Sequence, residues 1–245
     1  MQKRNATCAV IGAGDYIGSA IAKRFAAEGY TVFGGRRTAE KLEKLKTEIE
    51  AAGGECIARG LDARKEEDVT AFLNEADAHA PLEVVIINPG ANVQFPILET
   101  TERVFRKVWE MACYAGFLAG RESARLMLAR GKGTILFTGA TASIRGGAGY
   151  AAFSSAKAGL RNLAQSMARE LGPQNIHVAH LIIDAGVDTA FVRERIAARG
   201  GDPDALPPDT LMNPESVANA YWYLHSQSRD GWTFELDLRP YAERW

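Results

Sequence analysis

The sequence predicts an α/β fold: a doubly wound parallel sheet of about seven strands with helices on both faces, Rossmann-like in arrangement. Three observations predict it. Short apolar runs alternate with longer amphipathic segments along the chain. The apolar runs are continuous, as strands buried on both faces require. A glycine-rich turn joins the first run to the first amphipathic segment.

Taken in order, the first strand is 7–11 (Thr-Cys-Ala-Val-Ile), followed after the turn by a helix over 17–28. A strand at 31–35 ends in Gly34-Gly35 and leads into a helix over 39–52. Next come a strand at 55–59, a helix over 66–78 and a strand at 84–88. The amphipathic stretch 101–130 reads as one long helix before the strand 133–138. A helix over 150–171, a strand at 177–183, a helix over 214–226 and a strand at 233–238 complete the series. Residues 198–210, rich in Gly, Pro and Asp, read as a mobile loop within a substrate lid at about 189–212. No repeat or linker interrupts the pattern, so residues 1–245 read as one nucleotide-binding domain. Right-handed crossovers place ligands at the carboxyl ends of the strands.

Composition narrows the function. Of 245 residues, 47% are hydrophobic and 24% charged, as in an ordinary globular chain, and the net charge of −1 offers nucleic acid or an anionic membrane nothing to bind. No run of about 18 apolar residues is present to span a bilayer. The stretch Met1-Gln2-Lys3-Arg4-Asn5 lacks a signal-peptide core, and Cys8, Cys56 and Cys113 are widely spaced in apolar surroundings, so reduced thiols in the cytoplasm are expected. His79, His177, His180 and His225 show no metal-ligand spacing, and no metal is expected.

The turn reads Gly12-Ala13-Gly14-Asp15-Tyr16-Ile17-Gly18. Glycines there permit positive φ and let the backbone approach a pyrophosphate at a helix N-terminus. The second strand runs into Arg36-Arg37. An acidic residue at this point suits the ribose 2′-hydroxyl of NAD, whereas arginines suit a 2′-phosphate, so NADP is expected in preference to NAD. Asp15 works against this by adding a nearby negative charge. Further along stand Leu61-Asp62-Ala63 after the third strand, Asn88-Pro89-Gly90-Ala91 after the fourth, and Val187-Asp188-Thr189 after the sixth.

This ordered series, from residue 7 to residue 189, resembles the short-chain dehydrogenase/reductase superfamily. Its turn pattern Gly-x-x-x-Gly-x-Gly is met by Gly12 and Gly18, with Tyr16 at the middle glycine and Gly14 extra. The resemblance implies that Asp62 and Ala63 meet the adenine, that Asn88, Pro89 and Gly90 stand for the family's Asn-Asn-Ala-Gly, and that Thr189 meets the nicotinamide carboxamide. Asp184-Ala185 replaces the usual Pro-Gly before it. Asp184 itself, at a strand's carboxyl end, is a candidate acid or base if burial raises its pKa.

The superfamily works through Tyr-x-x-x-Lys, with a serine thirteen residues before the tyrosine and an asparagine on the preceding long helix. Here Lys157 fits as the ribose ligand, but Phe153, Ala140 and Ala112 occupy the other positions. A phenyl ring transfers no proton and alanine offers no side-chain hydrogen bond. Tyr150 lies seven residues before Lys157, nearly two turns, and shares its face if the helix already begins at Tyr150. That spacing resembles the enoyl-thioester reductases of the same superfamily. Thr141 and Ser143 are alternative hydroxyls. The expectation is therefore an NAD(P)H-dependent oxidoreductase moving a hydride to or from a small organic substrate, a carbonyl or an activated C=C or C=N. The alternatives are a catalytically silent nucleotide-binding member or a non-redox lyase or isomerase. The resemblance also implies a homodimer or homotetramer built on the two long helices, with Trp109, Phe117, Leu118 and Met127 in the core or at that interface.

Overall fold

The computed structural model describes residues 3–243. Seven parallel strands form one sheet in the order β3-β2-β1-β4-β5-β6-β7. They are β1 (Thr7–Ile11), β2 (Thr31–Arg36), β3 (Glu55–Gly60), β4 (Leu82–Ile87), β5 (Gly133–Thr138), β6 (Ile176–Ile183) and β7 (Glu235–Leu238). The strand order reverses between β1 and β4, and the crevice at that switch point lies beyond their carboxyl ends.

Helices cover both faces because every central strand is apolar on both. One layer packs α1 (Ile17–Ala27), α2 (Glu43–Ala51) and α8 (Pro214–His225) on the sheet through Ile21, Phe25, Ile49, Val217 and Tyr221. The other packs α3 (Glu66–His79), α5 (Ala115–Leu128) and α6 (Ala151–Leu171) through Phe72, Leu73, Leu118, Met127 and Leu160. Burying a side chain such as Phe25 or Leu73 contributes ~1.5–3 kcal/mol each, which makes these faces, and not local propensity, the source of helical stability.

Several boundaries differ from the sequence expectations. The stretch expected as one helix over 101–130 is α4 (Glu102–Trp109), a π-helical turn (Glu110–Tyr114) and then α5. Hydrophobic periodicity does not register the one extra residue of a π turn. Gly116 and Gly120 then bring α5 close to α6, since a Cβ on Gly116 would stand 2.2 Å from Leu160 Cδ1. The helix expected from 39 starts as a tight 3₁₀ turn (Ala39–Leu42) before α2. The helix expected from Tyr150 begins at Ala151. Residues 189–212 hold a helix, α7 (Ala190–Ala198), followed by the expected irregular stretch. No helix among the described residues is long and apolar enough to cross a membrane.

Candidate active site

The glycine turn is packed against its own backbone and the end of β4. Gly12 has φ +87°, and a Cβ on it would stand 2.6 Å from the Asn88 carbonyl oxygen. A Cβ on Gly18 would stand 2.4 Å from the Gly12 carbonyl oxygen. Asn88 Nδ2 donates to that same oxygen at 3.0 Å, so its side chain braces the turn. No atom lies within 4 Å of where a Cβ would stand on Gly14 or on Gly90, which leaves room for a ligand to approach both backbones. Ile17 opens α1, and no side chain caps its N-terminus; the Ser19 N–H donates to the Gly14 carbonyl at 2.8 Å, which leaves the Ile17 and Gly18 N–H groups to face a pyrophosphate. Tyr16, at the middle-glycine position, instead reaches across the site, its hydroxyl accepting from the Ala190 N–H at 3.0 Å at the start of α7.

Beside the turn lies a cleft of about 150 Å³ lined by Gly12, Arg36, Arg37, Asp62, Ala63 and Pro89, among others. It lies beyond the carboxyl ends of β1, β2 and β3, where this class of sheet binds ligands. Arg36 donates to both Asp15 oxygens, at 2.6 and 3.1 Å, and this bond holds the Asp15 carboxyl below the usual range. Arg37 is exposed, and its guanidinium makes no hydrogen bond or ion pair with any described residue. Asp62 is taken by Arg64 at 2.8 and 2.6 Å, which likewise lowers its pKa.

A second cleft, of about 310 Å³, is lined by Asn92, Thr141, Arg145, Tyr150, Phe153 and Ala185, among others. Phe153 and Lys157, four residues apart on α6, share a face, with Lys157 Nζ 6.0 Å from the Phe153 ring centroid. Lys157 is buried and donates to the Thr138 carbonyl at 2.7 Å, while burial lowers its pKa to about 8. Tyr150 is the residue before α6, with φ −112° and ψ 19°, so it is not stacked two helical turns above Lys157 as the spacing required. Its hydroxyl instead meets Gln94 Oε1 at 3.3 Å and the guanidinium of Arg195.

The two alternative hydroxyls have separate fates. Ser143 is buried and its Oγ accepts from the Ala140 N–H at 3.1 Å, bracing the loop, and it does not line the cleft. Thr141 does line it and donates to Asp184 Oδ1 at 2.5 Å. Asp184 is only 1% exposed, with Arg145 at 3.4 Å and Arg239 at 3.5 Å. Thr189 caps α7, its Oγ1 accepting from the Val192 N–H at 3.2 Å. Ala112 lies buried inside the π-helical turn. Leu118 and Met127 belong to the core, whereas Trp109 and Phe117 are 42% and 38% exposed.

Gln94, Arg145 and Arg195 were not singled out by the sequence. Arg195 and Arg199, four apart, carried a weak signal that became readable only once α7 was known to be helical. Gln94 lies in an irregular loop, where spacing says nothing about direction.

A family model described as short chain dehydrogenase matches residues 6–200. An uncharacterized oxidoreductase of Bacillus subtilis, YuxG, is 31% identical over 239 residues; the match covers 90% of this chain but 35% of that protein, so the chain spans about a third of YuxG's length. The 3-oxoacyl-[acyl-carrier-protein] reductase MabA of Mycobacterium tuberculosis is 28% identical over 221 residues, covering 89% of this chain and 84% of MabA. The crystal structure of a short-chain dehydrogenase from Rhodopseudomonas palustris superposes with a TM-score of 0.84 at 65% identity, covering 97% of this chain and all of that one.

Proposed function

The chain belongs to the short-chain dehydrogenase family, a family of NAD(P)-dependent oxidoreductases, and we propose that it moves a hydride between NADP(H) and a small hydroxyl or carbonyl compound held in the 310 Å³ cleft. The observation that carries this reading is the Thr141–Asp184 pair beside Phe153. Phe153 stands four residues before Lys157, where the family keeps its proton-transferring tyrosine, so the proton needs another route. In alcohol oxidation Thr141 Oγ1 takes the substrate hydroxyl proton as its own proton passes to the Asp184 carboxylate. In reduction the same atoms run in reverse. When bound, the nicotinamide supplies or accepts the hydride.

Lys157 holds the nicotinamide ribose through its ammonium group, which burial makes easier to neutralise. With a pKa of about 8, its charge and the cofactor affinity decline together as pH rises through that value. Arg37 takes the 2′-phosphate, because it makes no hydrogen bond with any described residue and acts on Asp62 only through its charge, while Arg36 is bonded to both Asp15 oxygens. Residues 189–212 form the lid, tied to the cofactor turn by Tyr16. Subunits pair through the aromatic face of α4 and α5, and three buried, unpaired cysteines suit a reducing cytoplasm.

The test is fluorescence titration with NADPH and NADH. Arg37→Ala is expected to weaken NADPH about tenfold, ~1.4 kcal/mol, and NADH less than about twofold. Equal weakening of both cofactors contradicts the phosphate assignment.

A further inference from the structure

Resting on that oxidoreductase reading, we infer that the substrate carries a carboxylate, received at the mouth of the 310 Å³ cleft by Arg195 and Arg199 of the lid helix. Arg195 lies in the last turn of α7, and Arg199, four residues on, is the residue that caps its C-terminus. Both guanidiniums converge on a single atom, Gln94 Oε1, at 2.6 and 2.9 Å. Arg195 also donates to the Tyr150 hydroxyl, and its guanidinium lies 5.5 Å from the Tyr150 ring centroid and 5.9 Å from that of Phe191.

What sets this pair apart is its partners. Neither Arg195 nor Arg199 forms an ion pair with any described residue. On the same helix, Arg193 is neutralised twice, by Asp188 at 2.5 Å and Asp204 at 2.8 Å. Across the cleft, the buried Asp184 is occupied by Thr141, Arg145 and Arg239, and it makes no contact with the lid pair. Two cations therefore share one neutral amide oxygen beside a residue that lines the substrate cleft.

A guanidinium binds a carboxylate more strongly than an amide, through shorter, charge-assisted and often bidentate bonds. Gln94 Oε1 is a planar sp² oxygen, and a carboxylate oxygen replaces it without moving either arginine. Gln94 gives way easily, since it sits on an exposed loop packed against Gly149. The carboxylate end is then held at the lid, and the rest of the molecule extends along the cleft toward Thr141 and Phe153. Tyr150, placed by its spacing as a proton donor, becomes part of this anchor.

The probes are cyclohexanecarboxylate and its primary amide, titrated by calorimetry into the protein with and without NADP⁺. The acid is expected to bind at least about tenfold tighter than the amide, ~1.4 kcal/mol. Arg195→Gln combined with Arg199→Gln is expected to bring the two within about twofold, with NADPH affinity and thermal unfolding unchanged. Gln94→Ala, which removes the competing oxygen, is expected to raise affinity for the acid. Equal binding of acid and amide, no binding of the acid, or a preference that survives the double substitution overturns the inference. So does a weaker acid in Gln94→Ala, or displacement of the acid by inorganic phosphate at lower concentration. Failure of NADPH to bind would instead sink the oxidoreductase reading, and the cofactor-free titration would still decide this one.

Discussion

At the scale of single residues, Thr141 holds one hydroxyl between the cleft and the buried Asp184, and the proposed chemistry rests on it. Thr141→Val preserves the side-chain shape and removes only the hydroxyl. It is expected to lower kcat by ~10²-fold or more, the usual range for losing a general acid–base group, while NADPH affinity stays the same. A kcat within about threefold of the parent would move the proton elsewhere. Tyr150 shows how far spacing alone can mislead. Seven residues suit a shared helical face, but the backbone at Tyr150 has already left the helix, and its hydroxyl is taken by Arg195 and Gln94.

At the scale of elements, the glycine turn and the start of α1 form one packed unit. Gly12 needs its positive φ, and Gly18 needs its missing Cβ, which would otherwise stand 2.4 Å from a backbone oxygen that cannot yield. Gly18→Ala is therefore expected to cost ~2–3 kcal/mol, a drop of roughly 5–10 °C in Tm for a chain of this size, together with weaker cofactor binding. An unchanged Tm would show that the turn can open without penalty. Strand and helix order was legible because each element carries its period in its apolar residues. The π-helical turn at Glu110–Tyr114 was not, because one inserted residue leaves the apolar pattern on either side intact.

At the scale of the whole molecule, buried histidines link stability to pH. Burial lowers the pKa of His180 and of His225 to about 4, with Glu235 partly opposing this at His180 and Glu83 at His225. The unfolded chain takes up those protons near pH ~6.5, before the folded one does. Stability is thus fully present above that value and falls as pH drops toward about 4, by on the order of 2 kcal/mol for each histidine. Thermal unfolding across this window checks it; a flat Tm would mean that both rings can charge within the fold. The ladder of exposed Trp109, half-buried Tyr114 and exposed Phe117, with centroids 5.9 and 6.2 Å apart, is the expected subunit contact. Phe117→Arg should lower the mass measured by sedimentation, and an unchanged mass would place the contact elsewhere.

The sequence by itself determined the seven-stranded parallel frame and the glycine-rich turn between its first strand and first helix. These are written in periods and in local backbone demands, which act over a few residues. Which hydroxyl faces the cleft, which arginine is already neutralised and which pair lacks a counter-ion were decided only by tertiary structure. Thr141 and Asp184 are 43 residues apart, Arg36 and Asp15 are 21 apart, and Gln94 and Arg195 are 101 apart. Hydrogen bonding and charge pairing depend on ångström distances between such partners, and no periodic pattern along the chain encodes them.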